Sequence, residues 1–240
     1  MNKQLPDKHT IYYLLFTTNC LLPTIFAIMK VEIWSDVMCP FCYIGKRRFE
    51  AALEKFEHKA EVDVEWRSFQ LNPQMRTIPG KSLNEYLAES KGWTLDYASR
   101  ANEHVTQMAA EVGLQYNMNI AVVANSFDAH RLLQFAKTKG LGNQVEECLF
   151  RAYFTEGKNT ADHEVLVELG VEAGLDNREV REVLESNAFA DEVRNDLELA
   201  EQFGIRGVPF FVFDRKYAVS GAQPEAVFLQ TLETCFSEND

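Results

Sequence analysis

Strand-forming sequence in this chain is confined to two regions near its ends, with a helical stretch from about Ser82 to Gly204 between them. Any sheet must therefore join segments that are far apart in the chain. In the first region Val31-Glu32-Ile33-Trp34 reads as a short strand. A helix from about Pro40 to Phe56 follows, with Phe49, Leu53 and Phe56 recurring at helical spacing. Val62, Val64 and Trp66 then alternate with Asp63, Glu65 and Arg67, the period of a half-exposed strand. Together these predict a βαβ unit. In the second region Phe210-Phe211-Val212-Phe213 is continuously apolar, as expected of a strand covered on both faces. Asp214-Arg215-Lys216 reads as a turn, Tyr217 to Ser220 as the partner strand, Gly221 as a bulge, and Pro224 as the opening of a terminal helix.

The intervening stretch carries its own start and stop signals. Ser82-x-x-Glu85 is a capping box. Thr94 or Asp96 opens a helix running towards Gly113. Ala129, Leu132, Leu133 and Ala136 line one helix face, and Gly140 ends that helix. Further helices are expected over Gln144–Phe154, Asp162–Ala173, Asp176–Leu184 and Ala190–Phe203. The predicted class is α/β: residues 30–80 and 190–240 form the sheet-containing domain, and 81–189 form an inserted helical domain. A chain of 240 residues, 46% hydrophobic, is ample to bury such a core.

Charge and cysteine usage narrow the function. A net charge of −12 repels nucleic acid and anionic membrane, so neither is an expected partner. Five cysteines are an odd count in a chain too long to need a disulfide framework. Residues 1–29 are read as an N-terminal extension. Lys3, Lys8 and the apolar run from Ile11 resemble a signal peptide, but Asp7, Thr17-Thr18-Asn19, Pro23 and a poor cleavage site near Ala27 weigh against it. Met29 is then the functional start and the protein is expected in the cytoplasm, the alternative being an exported or periplasmic protein.

The chemistry centres on Cys39-Pro40-Phe41-Cys42, a C-x-x-C pair between a strand and a helix, which is a strong redox signal. Cys39 would sit at the helix N-cap and Pro40 at the first helical position, where its missing N–H costs nothing. Unpaired backbone N–H groups and the helix dipole then stabilise the Cys39 thiolate, the nucleophile. Cys39 is thus expected to be the exposed, attacking thiol. Cys42, one turn on, can attack the mixed disulfide formed at Cys39 and close the ring. Zinc is disfavoured because Cys20, Cys148 and Cys235 are isolated and no second ligand pair exists. No metal or cofactor is expected beyond the redox-active disulfide itself.

The motif Ser35-Asp36-x-x-Cys39-Pro40-x-Cys42-Tyr43-x-Gly45, the helical insertion, Phe150-Arg151-Ala152-Tyr153-Phe154-Thr155-Glu156-Gly157 and Gly207-Val208-Pro209 resemble the DsbA superfamily, and within it the FrnE-like dithiol–disulfide oxidoreductases. The resemblance spans nearly all of Lys30 to Phe236. It implies a thioredoxin fold with a large inserted α-helical domain, Cys39 as the attacking cysteine, Cys42 as the resolving one, and Val208-Pro209 as a cis peptide facing the pair. Val208 and Pro209, with Pro40 and Phe41, are the expected substrate contacts. The partners implied are protein thiols or disulfides, with glutathione as a further co-substrate. Phe41 stands where the periplasmic DsbA type has a His and can neither donate a hydrogen bond nor carry charge. A reduction potential between those of thioredoxin and DsbA is therefore expected.

Two other function classes are open. Kappa-class glutathione transferases and hydroxychromene carboxylate isomerases resemble the same fold with a Ser in place of the first Cys. A non-enzymatic peptide-binding module would use only the proline loop. The presence of both cysteines favours disulfide exchange. Asp36 is read as a loop-stabilising carboxylate rather than a proton acceptor for Cys42, and His130 as a satisfied core histidine. Cys148 is read as a small buried hydrophobe. Trp34 is a core aromatic, and Arg47 and Arg48 belong to a solvated helix face.

Overall fold

A computed structural model describes residues 29–78 and 80–238. The extension, its signal-peptide alternative, the cytoplasmic expectation argued from them, and Cys20 all lie outside the described residues.

Strand β1 (Met29–Ser35) leads into helix α1 (Pro40–Lys55), a 3₁₀ turn at Lys59–Glu61, and strand β2 (Val62–Ser68). The helical stretch comprises α2 (Leu83–Lys91), α3 (Leu95–Glu111), α4 (Phe127–Thr138), α5 (Gly142–Phe154), α6 (His163–Glu172), α7 (Asn177–Glu185) and α8 (Ala190–Gln202). Strands β3 (Phe210–Phe213) and β4 (Tyr217–Ser220) and helix α9 (Glu225–Ser237) complete the chain. The sheet order is β2-β1-β3-β4. β1 is parallel to β2, with Ile33 opposite Trp66, and antiparallel to β3, with Ile33 opposite Phe211. This is the predicted thioredoxin-like α/β fold with a helical insertion.

Local sequence explains most boundaries. Ser82 and Glu85 form the reciprocal capping box of α2, and Gly92 ends that helix at φ 68°, a left-handed conformation that favours glycine. Thr94 caps α3, Asp162 caps α6 and Asp176 caps α7, each accepting from backbone N–H groups of the first turn. Two expectations shift. β1 starts at Met29, two residues before Val31, because Met29 pairs with Val62 and is buried. Gly221 lies just past β4 at φ 80° and donates to the Pro209 carbonyl at 2.8 Å, so it ties off the strand and does not bulge within it.

A single apolar cluster runs from the sheet into the helical stretch. It joins Val31, Ile33, Phe211 and Phe213 of the strands and Phe228 of α9 to Leu132 and Leu133 of α4, Leu149 of α5, and Leu166 and Leu169 of α6. On α1, Phe49 sits 5.5 Å from the Phe211 ring centroid and 5.9 Å from that of Phe228. Trp34 is buried against Ala200 and Val212, and its indole N–H donates to the Asp196 carbonyl at 3.1 Å. None of the described helices is long and apolar enough to cross a membrane.

The solvated face expected at Arg47 and Arg48 is not there. Lys46 is 2% exposed and Arg47 is half-buried, and both bind Glu147 of α5. Arg48 donates to the Ala222 carbonyl at 2.6 Å. The helical insertion packs on this side of α1 and converts a surface pattern into an inter-element one.

Candidate active site

The Cys39 residue occupies the N-cap of α1 in extended conformation, with Pro40 next in the helix and no acidic side chain in the first turn. Its backbone N–H donates to the Asp36 carbonyl at 2.9 Å, which tightens the loop between β1 and α1. No side-chain hydrogen bond caps the helix, so the Cys39 sulfur meets the positive end of the α1 dipole with no competing carboxylate in the first turn. The Cys39 thiol donates to the Val208 carbonyl at 3.4 Å, and Val208-Pro209 is cis. The loop before β3 and the start of α1 thus meet at the sulfur.

Contrary to expectation, Cys39 is only 3% exposed. The Val208 carbonyl lies against it, and it belongs to an apolar cluster with Tyr43 and Tyr116, against which Met38 and Val208 pack. It reaches the outside through a cavity of about 740 Å³. Phe41, Leu83, Trp93 and Tyr97 contribute apolar wall, and Lys91, Arg100 and His104 are its charged or titratable side chains. Phe41 is 38% exposed, while Pro40 is half-buried and its carbonyl accepts from the Tyr116 hydroxyl at 2.7 Å. A stack of Tyr43 on Phe150, with Tyr116 on Phe154, fixes this end of α1 against α5.

Cys42 is fully buried behind Cys39. Both thiols are free. Burial pushes the Cys42 thiol well above the ordinary cysteine range, and the adjoining Cys39 sulfur adds to the effect. The Ser35 hydroxyl and the Asp36 backbone N–H oppose the shift. One sulfur borders the cavity and the other is sealed, an arrangement that lets the first form a mixed disulfide while the second waits behind it.

The Asp36 side chain ties the site loop down: Oδ2 accepts from the Leu71 N–H at 2.7 Å and Oδ1 from the Met38 N–H at 3.4 Å. His130 is fully buried but unsatisfied, which corrects the expectation for it. Its Nε2 lies 3.5 Å from Asp36 Oδ1, an ion-pair separation, and neither ring nitrogen has an aligned hydrogen bond. Cys148 is buried among apolar neighbours in α5, and the Cys235 thiol donates to Asp214 Oδ2 at 3.7 Å. Among the described residues no group of three or more His, Cys, Asp or Glu side chains is placed to hold a metal ion.

Sequence reasoning passed over Glu146. It is fully buried on α5, and its Oε1 accepts from the Ser35 hydroxyl at 2.8 Å. A glutamate on the apolar face of a helix was the available signal, since Val145, Leu149 and Phe150 around it are all buried.

The sequence of the DSBA-like thioredoxin domain matches residues 30–233 of this chain. The uncharacterised protein YwbO of Bacillus subtilis is 30% identical over 202 residues, covering 83% of this chain and 94% of YwbO. A probable DsbA oxidoreductase from Streptomyces coelicolor superposes with a TM-score of 0.84 at 43% identity, over 88% of this chain and 91% of that one. A cytosolic disulfide reductase, DsbM from Pseudomonas aeruginosa, has the same fold at 20% identity, with a TM-score of 0.62 over 87% of this chain and 99% of that one.

Proposed function

The chain belongs to the DSBA-like thioredoxin domain family of thiol–disulfide oxidoreductases, and from that premise we propose that it is a FrnE-like protein disulfide oxidoreductase and isomerase working through Cys39 and Cys42. Its exchange partners are protein thiols or disulfides, with glutathione as the low-molecular-weight co-substrate. The observation that carries the reading is the pairing of a cavity-facing Cys39 at the α1 N-cap, 3.4 Å from the Val208 carbonyl, with a sealed Cys42 behind it.

The Cys39 thiolate attacks a substrate disulfide and forms a mixed disulfide, releasing one substrate thiolate. Cys42 then attacks the Cys39 sulfur, the second substrate thiolate leaves, and the Cys39–Cys42 disulfide closes. Run backwards, the same steps oxidise a dithiol. The backbone of Val208 and the faces of Pro209, Pro40 and Phe41 contact the substrate beside its cysteine. The apolar wall supplied by Phe41, Leu83 and Trp93 favours substrates with an apolar residue next to that cysteine.

Single-turnover exchange between the reduced protein and a disulfide-bonded protein substrate tests the reading. Cys39→Ser is expected to abolish exchange, and Cys42→Ser to accumulate mixed disulfides visible on a non-reducing gel. Full exchange by Cys39→Ser would overturn the assignment. Equilibration in glutathione buffers gives the reduction potential, expected between those of thioredoxin and DsbA.

A further inference from the structure

The cavity beside Cys39 differs in charge from the rest of the molecule. The chain has 36 acidic residues against 24 lysines and arginines, so a cation that stays unpaired does not do so for want of carboxylates. Away from the site such cations are matched, as Lys139 is to Glu179, Arg181 to Glu164 and Arg194 to Asp191. Among the described residues, Arg76, Lys91 and Arg206 have neither an ion pair nor a side-chain hydrogen bond. All three lie on segments that build the site. Lys91, the last residue of α2, lines the cavity. Arg206 stands two residues before Val208, whose carbonyl meets the Cys39 thiol. Arg76 follows Met75, which is buried in the apolar cluster of Cys39, and shares the β2–α2 loop with Leu71 of the cavity wall. Arg100, in an exposed pair with Asp96, and His104 add two basic side chains to the lining. Among the described residues no Asp or Glu lines it.

The apolar part of the cavity is open as well. Phe41, Leu71, Trp93 and Tyr97 on its wall are exposed large side chains. An exposed apolar patch rimmed by polar groups marks an interaction surface. Its occupant has to bring apolar side chains and negative charge together. We propose that the clients of this cavity are acidic polypeptide segments, in which a cysteine has apolar neighbours and an Asp or Glu about three residues away. The proposal rests on the exchange reading above and names the substrate class of that same site.

The spacing follows from size. Taken as a sphere, the cavity of about 740 Å³ is about 11 Å across, and an extended chain advances about 3.3–3.6 Å per residue. Any point of the lining is then within about three residues of a client cysteine that meets Cys39. A carboxylate there reaches the lining cations beside an apolar wall, where charges are screened less than on open surface. The cations also speed the encounter with an acidic chain. The net charge of −12 repels that chain from the rest of the surface, so the field leads it to one place. Glutathione carries carboxylates too, but brings no apolar side chain to Phe41 and Trp93.

The test mixes reduced full-length protein with disulfide-bonded peptides that share one apolar sequence and differ only at the third residue from the cysteine, which is Glu, Gln or Lys. At low ionic strength the wild type should exchange with the Glu peptide about tenfold faster than with the Gln peptide, and with the Lys peptide more slowly still. In 1 M salt, where the screening length is about 3 Å, the three rates should converge. In a variant carrying Arg76→Gln, Lys91→Gln and Arg206→Gln the Glu-to-Gln ratio should fall towards one. A variant of the same net charge carrying Lys139→Gln, Arg181→Gln and Arg194→Gln should keep the wild-type ratio, which separates the site cations from overall charge. Glutathione disulfide, run alongside, should respond less to the first variant than the Glu peptide does. Equal rates for the three peptides in the wild type would overturn the proposal, as would a ratio that the first variant leaves intact or the second abolishes. A loss confined to glutathione disulfide would overturn it too, by assigning the cations to the small thiol. Absence of exchange with every disulfide would instead overturn the exchange reading.

Discussion

Lys46 carries its ammonium into the interior of α1 at 2% exposure, and Glu147 of α5 is what holds it there at 2.8 Å, together with Glu50. Burial disfavours the Glu147 carboxylate, but the hydrogen bonds and charges of Arg47 and Lys46 outweigh it and hold its pKa at about 2. Its folded pKa lies below the ordinary 4.5, so its contribution to stability is full above that value and is lost as pH falls through about 2. Glu147→Gln should therefore lower the unfolding free energy by about 2 kcal/mol at pH 7 and by progressively less towards pH 2, read from urea titrations. Glu146 behaves in the opposite sense. Its folded value near 7 lies above the ordinary 4.5, so the fold favours the protonated form and stability falls as pH rises between those values. Glu146→Gln should stabilise the protein by about 1–3 kcal/mol at pH 8 and hardly at all at pH 4.5.

At the scale of elements, the site depends on how closely α1 approaches the loop before β3. Gly45 lies on the face of α1 that meets this loop. A Cβ there would stand 3.0 Å from Pro209 Cγ and 3.4 Å from the Phe211 ring. Gly45→Ala gains helix propensity of about 1 kcal/mol but must push α1 off the loop, which typically costs about 1–3 kcal/mol. The expected outcome is a net loss of stability and slower exchange with protein disulfides, with the cysteine pair still able to oxidise. Within α1 the two thiols should differ as well: iodoacetamide should modify Cys39, which borders the cavity, well before the sealed Cys42, and peptide mapping reads the order. Much of this level was legible in the sequence. The capping box at Ser82, the Asp162 and Asp176 caps, the N-cap position of Cys39 and the apolar strand Phe210–Phe213 are local signals, complete within a few residues. What sequence missed is non-local. Arg47 reads as solvated until α5 brings Glu147 against it from 100 residues away, and the partner of Ser35 lies 111 residues on. Periodicity reports which face of a helix is apolar, not which charged residue on another helix will meet it. Cys39 itself proved less exposed than a helix N-cap suggests, because the covering Val208 lies 169 residues further along.

For the molecule as a whole, one apolar cluster spans the sheet, α1, α9 and the helical insertion, so the insertion has no separate core on its α4–α6 side. Thermal unfolding should accordingly be one transition, with calorimetric and van't Hoff enthalpies in agreement; two resolved transitions would mean that the insertion melts independently. Phe150, fully buried between Tyr43 of α1 and Phe154, is a joint in that continuity. Phe150→Ala should cost about 3–5 kcal/mol and broaden the transition. The strand order has a further consequence for how the chain is made. β1 emerges from the ribosome before its neighbour β3, and Cys39 emerges 169 residues before the Val208 carbonyl that faces it. Domains are synthesised from the N-terminus and fold as units. A nascent chain therefore holds both cysteines before the Val208 loop that faces Cys39 has emerged. A ribosome stalled before Phe210 would carry both thiols without the loop and strand that close over Cys39.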